Sequence, residues 1–219
     1  GLLNDARKLD KRRWPLMVER FAALAEAPDA EIAQPLPPPT LQVSDAQRAA
    51  ALEKFGLSLD KRVAVFCPGA EYGPAKRWPE PYYAELAQRL RAQGYAVWLV
   101  GSPKDREIAD KIVALGNEPC RNLCGTTDLA EAIALISCAD LVVSNDSGLM
   151  HIAAALDRTM LAIFGSSSPE FTPPLSDKAE VLSLNLSCSP CFKRVCPLGH
   201  FHCMLQLTPQ EVARHLPRK

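Results

Sequence analysis

The chain has 219 residues, and its 25 Lys and Arg balance 25 Asp and Glu, so the formal net charge is zero. That balance excludes a protein held to nucleic acid by bulk charge and leaves open a local basic site for a phosphate. Hydrophobic residues make up 47% and charged residues 23%, enough apolar material for a sizeable core, and no apolar run reaches the roughly 18 residues of a membrane-spanning helix.

The opening Gly1-Leu2-Leu3-Asn4-Asp5 has neither a Met nor the basic-then-apolar pattern of a signal peptide. It reads as a chain that starts mid-pattern, a fragment or a processed product. Residues 14–27 have helical spacing at Leu16, Met17, Arg20, Phe21 and Leu24, with Pro15 suited to a first turn. Pro35-Leu36-Pro37-Pro38-Pro39 is a stiff extended stretch, read as a linker over 35–43 between a domain end at 1–34 and a domain over 44–207. Ser44 is placed to cap a helix that runs to Phe55 and stops at Gly56.

From residue 62 the pattern alternates. Short apolar runs at 63–67, 96–100, 141–144 and 160–164 predict strands, with a weaker one at 121–123 and an edge strand at 181–184. Between them, 79–93, 104–115, 128–138 and 147–156 predict helices, and 208–216 a last one. Strands separated by helices imply βαβ units, and continuous apolar strands imply burial on both faces, so the expectation is an α/β, Rossmann-like doubly wound parallel sheet. Ligands of such sheets sit at the carboxyl ends of the strands.

Three loops stand at those ends. Pro68 to Pro79 has neither a dinucleotide nor a Walker fingerprint, but it places Lys76 and Arg77 just before a helix N-terminus, where free N–H groups and the dipole favour phosphate. A solvated surface loop explains the same residues. In Ser144-Asn145-Asp146-Ser147-Gly148-Leu149-Met150-His151, Asp146 is either a helix N-cap or an acceptor for sugar hydroxyls. There the Ser147 and Gly148 amides face a ligand and His151 stands one turn on. Gly165-Ser166-Ser167-Ser168 could bond phosphate or ribose, or be a plain turn.

Of eight cysteines, Cys67, Cys120, Cys124 and Cys138 lie in apolar segments and read as small buried hydrophobes of a reducing cytosol. Cys188, Cys191, Cys196 and Cys203 cluster near the end, with His200 and His202 between them. Only the first pair has metal-ligand spacing, so a structural zinc or iron–sulfur site, buried thiols and one or two disulfides all stay open.

Pro68–Pro79, the Asn145–His151 motif and Phe164-Gly165 with its Ser-Ser-Ser-Pro together resemble glycosyltransferase family 9, the ADP-heptose:lipopolysaccharide heptosyltransferases, over nearly the whole chain. The opening Gly-Leu-Leu-Asn-Asp and Trp14-Pro-Leu-Met-Val-Glu-Arg resemble the middle of such enzymes. The resemblance implies a GT-B architecture, with this chain as the nucleotide-sugar half and the acceptor domain preceding it. It implies inverting, metal-independent transfer of heptose from ADP-heptose to the lipopolysaccharide inner core, without a cofactor, at the cytoplasmic face of a Gram-negative inner membrane. Position by position it gives Lys76 the diphosphate, Asp146 the sugar or phosphate end, Ser147 and Gly148 amide contacts, and His151 a place beside them. Thr127 falls against the nucleotide, Asp105 near the ribose, and Ala70, Glu71 and Tyr72 in the donor loop. The expected general base matches no residue of this chain. Beside this reading stand a UDP-sugar transferase or epimerase, and a nucleotide- or metal-binding module without turnover.

Overall fold

The computed structural model describes residues 2, 4–28, 30–116 and 120–217. Six strands, β1 (Arg62–Cys67), β2 (Tyr95–Leu99), β3 (Arg121–Asn122), β4 (Leu141–Asn145), β5 (Met160–Ile163) and β6 (Ala179–Leu182), form one sheet in the order β3-β2-β1-β4-β5-β6. Every pairing is parallel, with Val65 of β1 between Trp98 of β2 and Val142 of β4. The weak strand at 121 and the edge strand near 181 are thus both present, the latter two residues earlier than expected because Ala179 pairs with Met160.

Alternation along the strands sends side chains to opposite faces. Ala64, Phe66 and Val143 pack with α3 (Glu80–Ala92), α4 (Arg106–Leu115) and α8 (Pro209–Ala213). Val63, Val65, Cys67 and Val142 pack with α2 (Asp45–Phe55), α5 (Leu129–Ser137) and α6 (Gly148–Ala155). Both faces of the sheet are covered, which is why the inner strands β1, β4 and β5 carry unbroken runs of buried residues, whereas the edge strands β3 and β6 do not. The predicted helix caps hold where the chemistry is local: the Ser44 hydroxyl accepts the Gln47 amide at 3.2 Å, and Gly56 ends α2 at φ +60°.

Local pattern misleads at the start of the chain. Helix α1 covers only Met17–Ala23 and buries none of its residues, against an expected 14–27. Most helical stability comes from packing of an apolar face, and this helix meets the rest of the described chain mainly through the Met17 amide on Phe171 O (3.0 Å) and the Arg20 guanidinium over the Phe171 ring (4.5 Å). Two short elements have no clear sequence signal: a 3₁₀ turn at Pro74–Lys76 and helix α7 (His202–Leu205).

Candidate functional site

Between β1 and β4 the connections run to opposite sides of the sheet, and a crevice opens at the carboxyl ends of the strands. Two loops meet there. The 3₁₀ turn after β1 lifts Lys76, whose Nζ donates to Asp146 Oδ2 at 2.5 Å; the side chains are only 19% and 7% exposed. Asp146 directly follows β4. It is not the cap of α6: the N-cap is Ser147, which makes no side-chain capping bond. The first amides of α6 are left without that partner, and Ser147 and Gly148 line a cavity of about 360 Å³, a volume in the range of small-molecule sites.

The same cavity reaches Ala70, Glu71, Asp105 and Thr127, so five of the sequence candidates and the ribose candidate share one wall. Lys76, Asp146 and His151 are not among its lining. The pair stands beside it, joined through Asp146 and Ser147. Glu71 is paired with Lys104, and Asp105 Oδ2 accepts from the Ser102 amide (2.8 Å) and hydroxyl (2.7 Å). His151 is exposed as a residue, yet its imidazole lies below the usual 6.5: first because the surrounding surface strips water from it, then because of Lys76, with Asp146 opposing. Ser166 and Ser167 are buried, their hydroxyls have no hydrogen-bond partner among the described residues, and neither lines this cavity.

The cysteine segment closes over the Tyr72–Trp78 turn and the first turn of α3 through backbone oxygens. Phe192 O accepts from Tyr72 OH (2.9 Å), Arg194 O from the Ala75 amide (3.0 Å), Leu205 O from Tyr82 OH (2.9 Å) and Leu207 O from Trp78 Nε1 (2.7 Å). At Gly73, φ is +149°, and a Cβ would stand 2.6 Å from Arg194 O, so a side chain there is excluded twice over. The Tyr72 ring carries the Lys76 ammonium at 5.4 Å and the Arg194 guanidinium at 5.0 Å.

Cys188, Cys191, Cys196 and Cys203 are free and line one small cavity together with Ser166. Among the described residues no group of three or more His, Cys, Asp or Glu is placed to hold a metal ion. The four thiols differ. Amides of Phe201, Leu198, His200 and Gly199 turn toward the Cys196 sulfur and hold its thiol below the ordinary value, whereas burial first, then the other three thiols, push Cys203 up. Burial pushes Cys67 up further and takes Cys124 to about 12. The thiolate is the nucleophile, so at pH 7 iodoacetamide should modify Cys196 well before Cys67 or Cys124. The Cys196 rate should begin to rise at a pH below that of an ordinary cysteine, as peptide mass spectrometry of the native protein will show.

Residues 1–202 match the profile of glycosyltransferase family 9 (heptosyltransferase). The chain belongs to glycosyltransferase family 9. Among its family-9 relatives, lipopolysaccharide heptosyltransferase 2 of Salmonella typhimurium is 48% identical over 99% of this chain and 65% of its own length, and that of Escherichia coli K12 is 47% identical over the same shares. The solved ADP-heptose LPS heptosyltransferase II of E. coli superposes with a TM-score of 0.86 at 46% identity, covering 98% of this chain and 64% of that one. E. coli heptosyltransferase WaaC with ADP-2-deoxy-2-fluoro heptose gives 0.54 at 25% identity over 80% and 49%. The chain therefore spans slightly less than two thirds of the length of these heptosyltransferase 2 relatives. The six-stranded parallel domain is of the GT-B type of this family.

Several residues of the site carried no assigned role in the sequence reading. Asn145 stands beside Asp146 with a fully buried side chain, and Gly69, Asp128 and Ile152 line the main cavity. For Gly69 and Asn145 the place at a strand end was the one available signal; Asp128, the N-cap of α5, and Ile152, inside α6, had none.

Proposed function

We propose that this chain is the donor-binding half of a transferase that moves L-glycero-D-manno-heptose from ADP-heptose to the inner core of lipopolysaccharide. The meeting of Lys76 and Asp146 carries the reading: residues 70 positions apart converge at 2.5 Å beside a cavity of small-ligand size. The family membership and the WaaC relative solved with an ADP-heptose analogue support the choice of donor.

In this reading the adenosine lies along Thr127 and Asp105, and the diphosphate reaches the α6 amides of Ser147 and Gly148. Lys76 turns from Asp146 toward the phosphate oxygens. The acceptor hydroxyl attacks the anomeric carbon, the bond from that carbon to the diphosphate oxygen breaks, and ADP leaves with the electron pair. Lys76 and the helix N-terminus stabilise the charge that gathers on the leaving group. Asp146 holds Lys76 before the donor arrives and then faces the sugar end, beside His151. Proton removal from the acceptor falls to a base outside this chain, on an acceptor domain of which residues 1–34 are the end, with 35–43 as linker; the closing helix, expected over 208–216, is α8, Pro209–Ala213, in the structure. The work takes place at the cytoplasmic face of the inner membrane; among the described residues no helix is long and apolar enough to cross it.

Calorimetry tests the reading. ADP should bind the chain and UDP more weakly, and residues 1–219 with ADP-heptose and acceptor should release ADP no faster than buffer, since this reading puts the base and the acceptor wall outside them. Absence of ADP binding, or turnover by this chain alone, would overturn it. A side chain at Gly148 meets open space inside the cavity, so Gly148→Ala should leave the melting temperature nearly unchanged while lowering ADP affinity several-fold, measured by the same titration.

A further inference from the structure

Asn145 has no part in the transfer chemistry above, yet it ties together the elements that perform it. It is the last residue of β4, with a side chain 0% exposed. Its Nδ2 donates to Pro68 O at 2.7 Å and Gly69 O at 3.3 Å. Its Oδ1 accepts from the Trp78 amide at 3.1 Å and from Tyr83 OH at 3.0 Å. A primary amide has two N–H donors and one oxygen with two lone pairs, so these four bonds use its whole capacity. The orientation is fixed by chemistry. Turned over, the amide would set its oxygen against two carbonyls and its N–H groups against the N–H of Trp78.

The partners bracket one loop. Pro68 and Gly69 begin the connection after β1, and Trp78 ends it two residues beyond Lys76. Asn145 thus staples both ends of the Lys76 loop to β4, while the next residue, directly after β4, is Asp146. Burial raises the Tyr83 hydroxyl well above its ordinary value, which keeps it a donor. An apolar side chain of similar size would leave two carbonyls, an amide and a phenol without these bonds in a site closed to water.

We propose that Asn145 is a positioning residue: by fixing both ends of the 68–78 loop to β4 it sets the Lys76 ammonium in register with Asp146 and with the donor diphosphate. This rests on the donor-site reading and deepens it. A double-mutant cycle on the whole chain tests it, with ADP titration and hydrogen exchange of the 68–78 amides as readouts. Asn145→Ala should raise exchange across 68–78 and lower ADP affinity about tenfold, the scale of coupling between groups in one network. In the Lys76→Ala background the same change should alter affinity by less than about twofold, because the residue it positions is gone, while exchange still rises. A role confined to general stability would give the same loss in both backgrounds, and that result overturns the inference, as does unchanged loop exchange. If Lys76→Ala binds ADP as tightly as the parent, the donor reading falls and takes the inference with it; raised exchange in Asn145→Ala tells this failure apart. Tyr83→Phe, which removes one of the four bonds, serves if Asn145→Ala does not fold, with a smaller loss expected and the same dependence on Lys76.

Discussion

Lys76→Ala should weaken ADP binding by about ten- to a hundredfold, the worth of roughly 1.5–3 kcal/mol for a charge-assisted hydrogen bond. The ammonium sits at the end of a 3₁₀ turn, largely shielded from water and already aimed at the crevice by Asp146. Its removal has two effects. The diphosphate loses its nearby point charge, and Asp146, only 7% exposed, loses its counterion in the space the phosphates would occupy. The second effect repels an anion, so the loss should shrink in a Lys76→Ala, Asp146→Asn double variant. Titration of the parent, Lys76→Ala, Asp146→Asn and the double variant with ADP checks both parts. Equal affinity in parent and Lys76→Ala would mean that the turn does not face the phosphates.

The second large effect concerns the floor of that turn. Trp78 is 1% exposed, its Nε1 bonds to Leu207 O at 2.7 Å, and its ring stands edge-on to Tyr83 at a centroid separation of 4.9 Å. Trp78→Ala should destabilise the fold by about 3–5 kcal/mol, as deletion of a large buried ring does, and lower the melting temperature by roughly 10 °C for a chain of this size. It also removes one of the bonds that tie the C-terminal segment to the 72–78 turn, the Trp78 Nε1 bond to Leu207 O. Residues 188–207 should therefore become sensitive to protease before the sheet unfolds, which limited proteolysis followed by mass spectrometry will show. A variant that melts in one step with the parent's cleavage pattern would deny the segment this anchor.

The sheet was legible because burial on both faces writes itself into consecutive residues: Val63–Cys67, Leu141–Val143 and Met160–Phe164 are apolar without help from elsewhere in the chain. The candidate loops followed from topology, since a parallel sheet gathers the residues after each strand. The extent of α1 was not legible, because its periodicity is real while the packing partner that would extend it is absent from the described contacts. The role of Asn145 was not legible either. It depends on carbonyls of Pro68 and Gly69 and an amide of Trp78, groups that every residue possesses. For the same reason nothing in Cys188–Leu207 announced that it would close over the Tyr72–Trp78 turn. The cysteines drew attention to chemistry, whereas the segment's hydrogen bonds to the turn and to α3 accept on its main-chain carbonyls.

That mode of contact decides what sequence change the segment tolerates. Phe192, Arg194, Leu205 and Leu207 each present a carbonyl to the neighbouring turn and helix, while the side chains of Lys193, Val195 and Leu198 point into water. Spelling is free there and spacing is not. Substitutions at 193, 195 or 198 leave every carbonyl in place, but loss or gain of a single residue between 192 and 207 throws the later carbonyls out of step with Tyr82 and Trp78. A library of point variants at 193, 195 and 198 would return mostly competent proteins, and a library of one-residue insertions and deletions between 192 and 207 almost none.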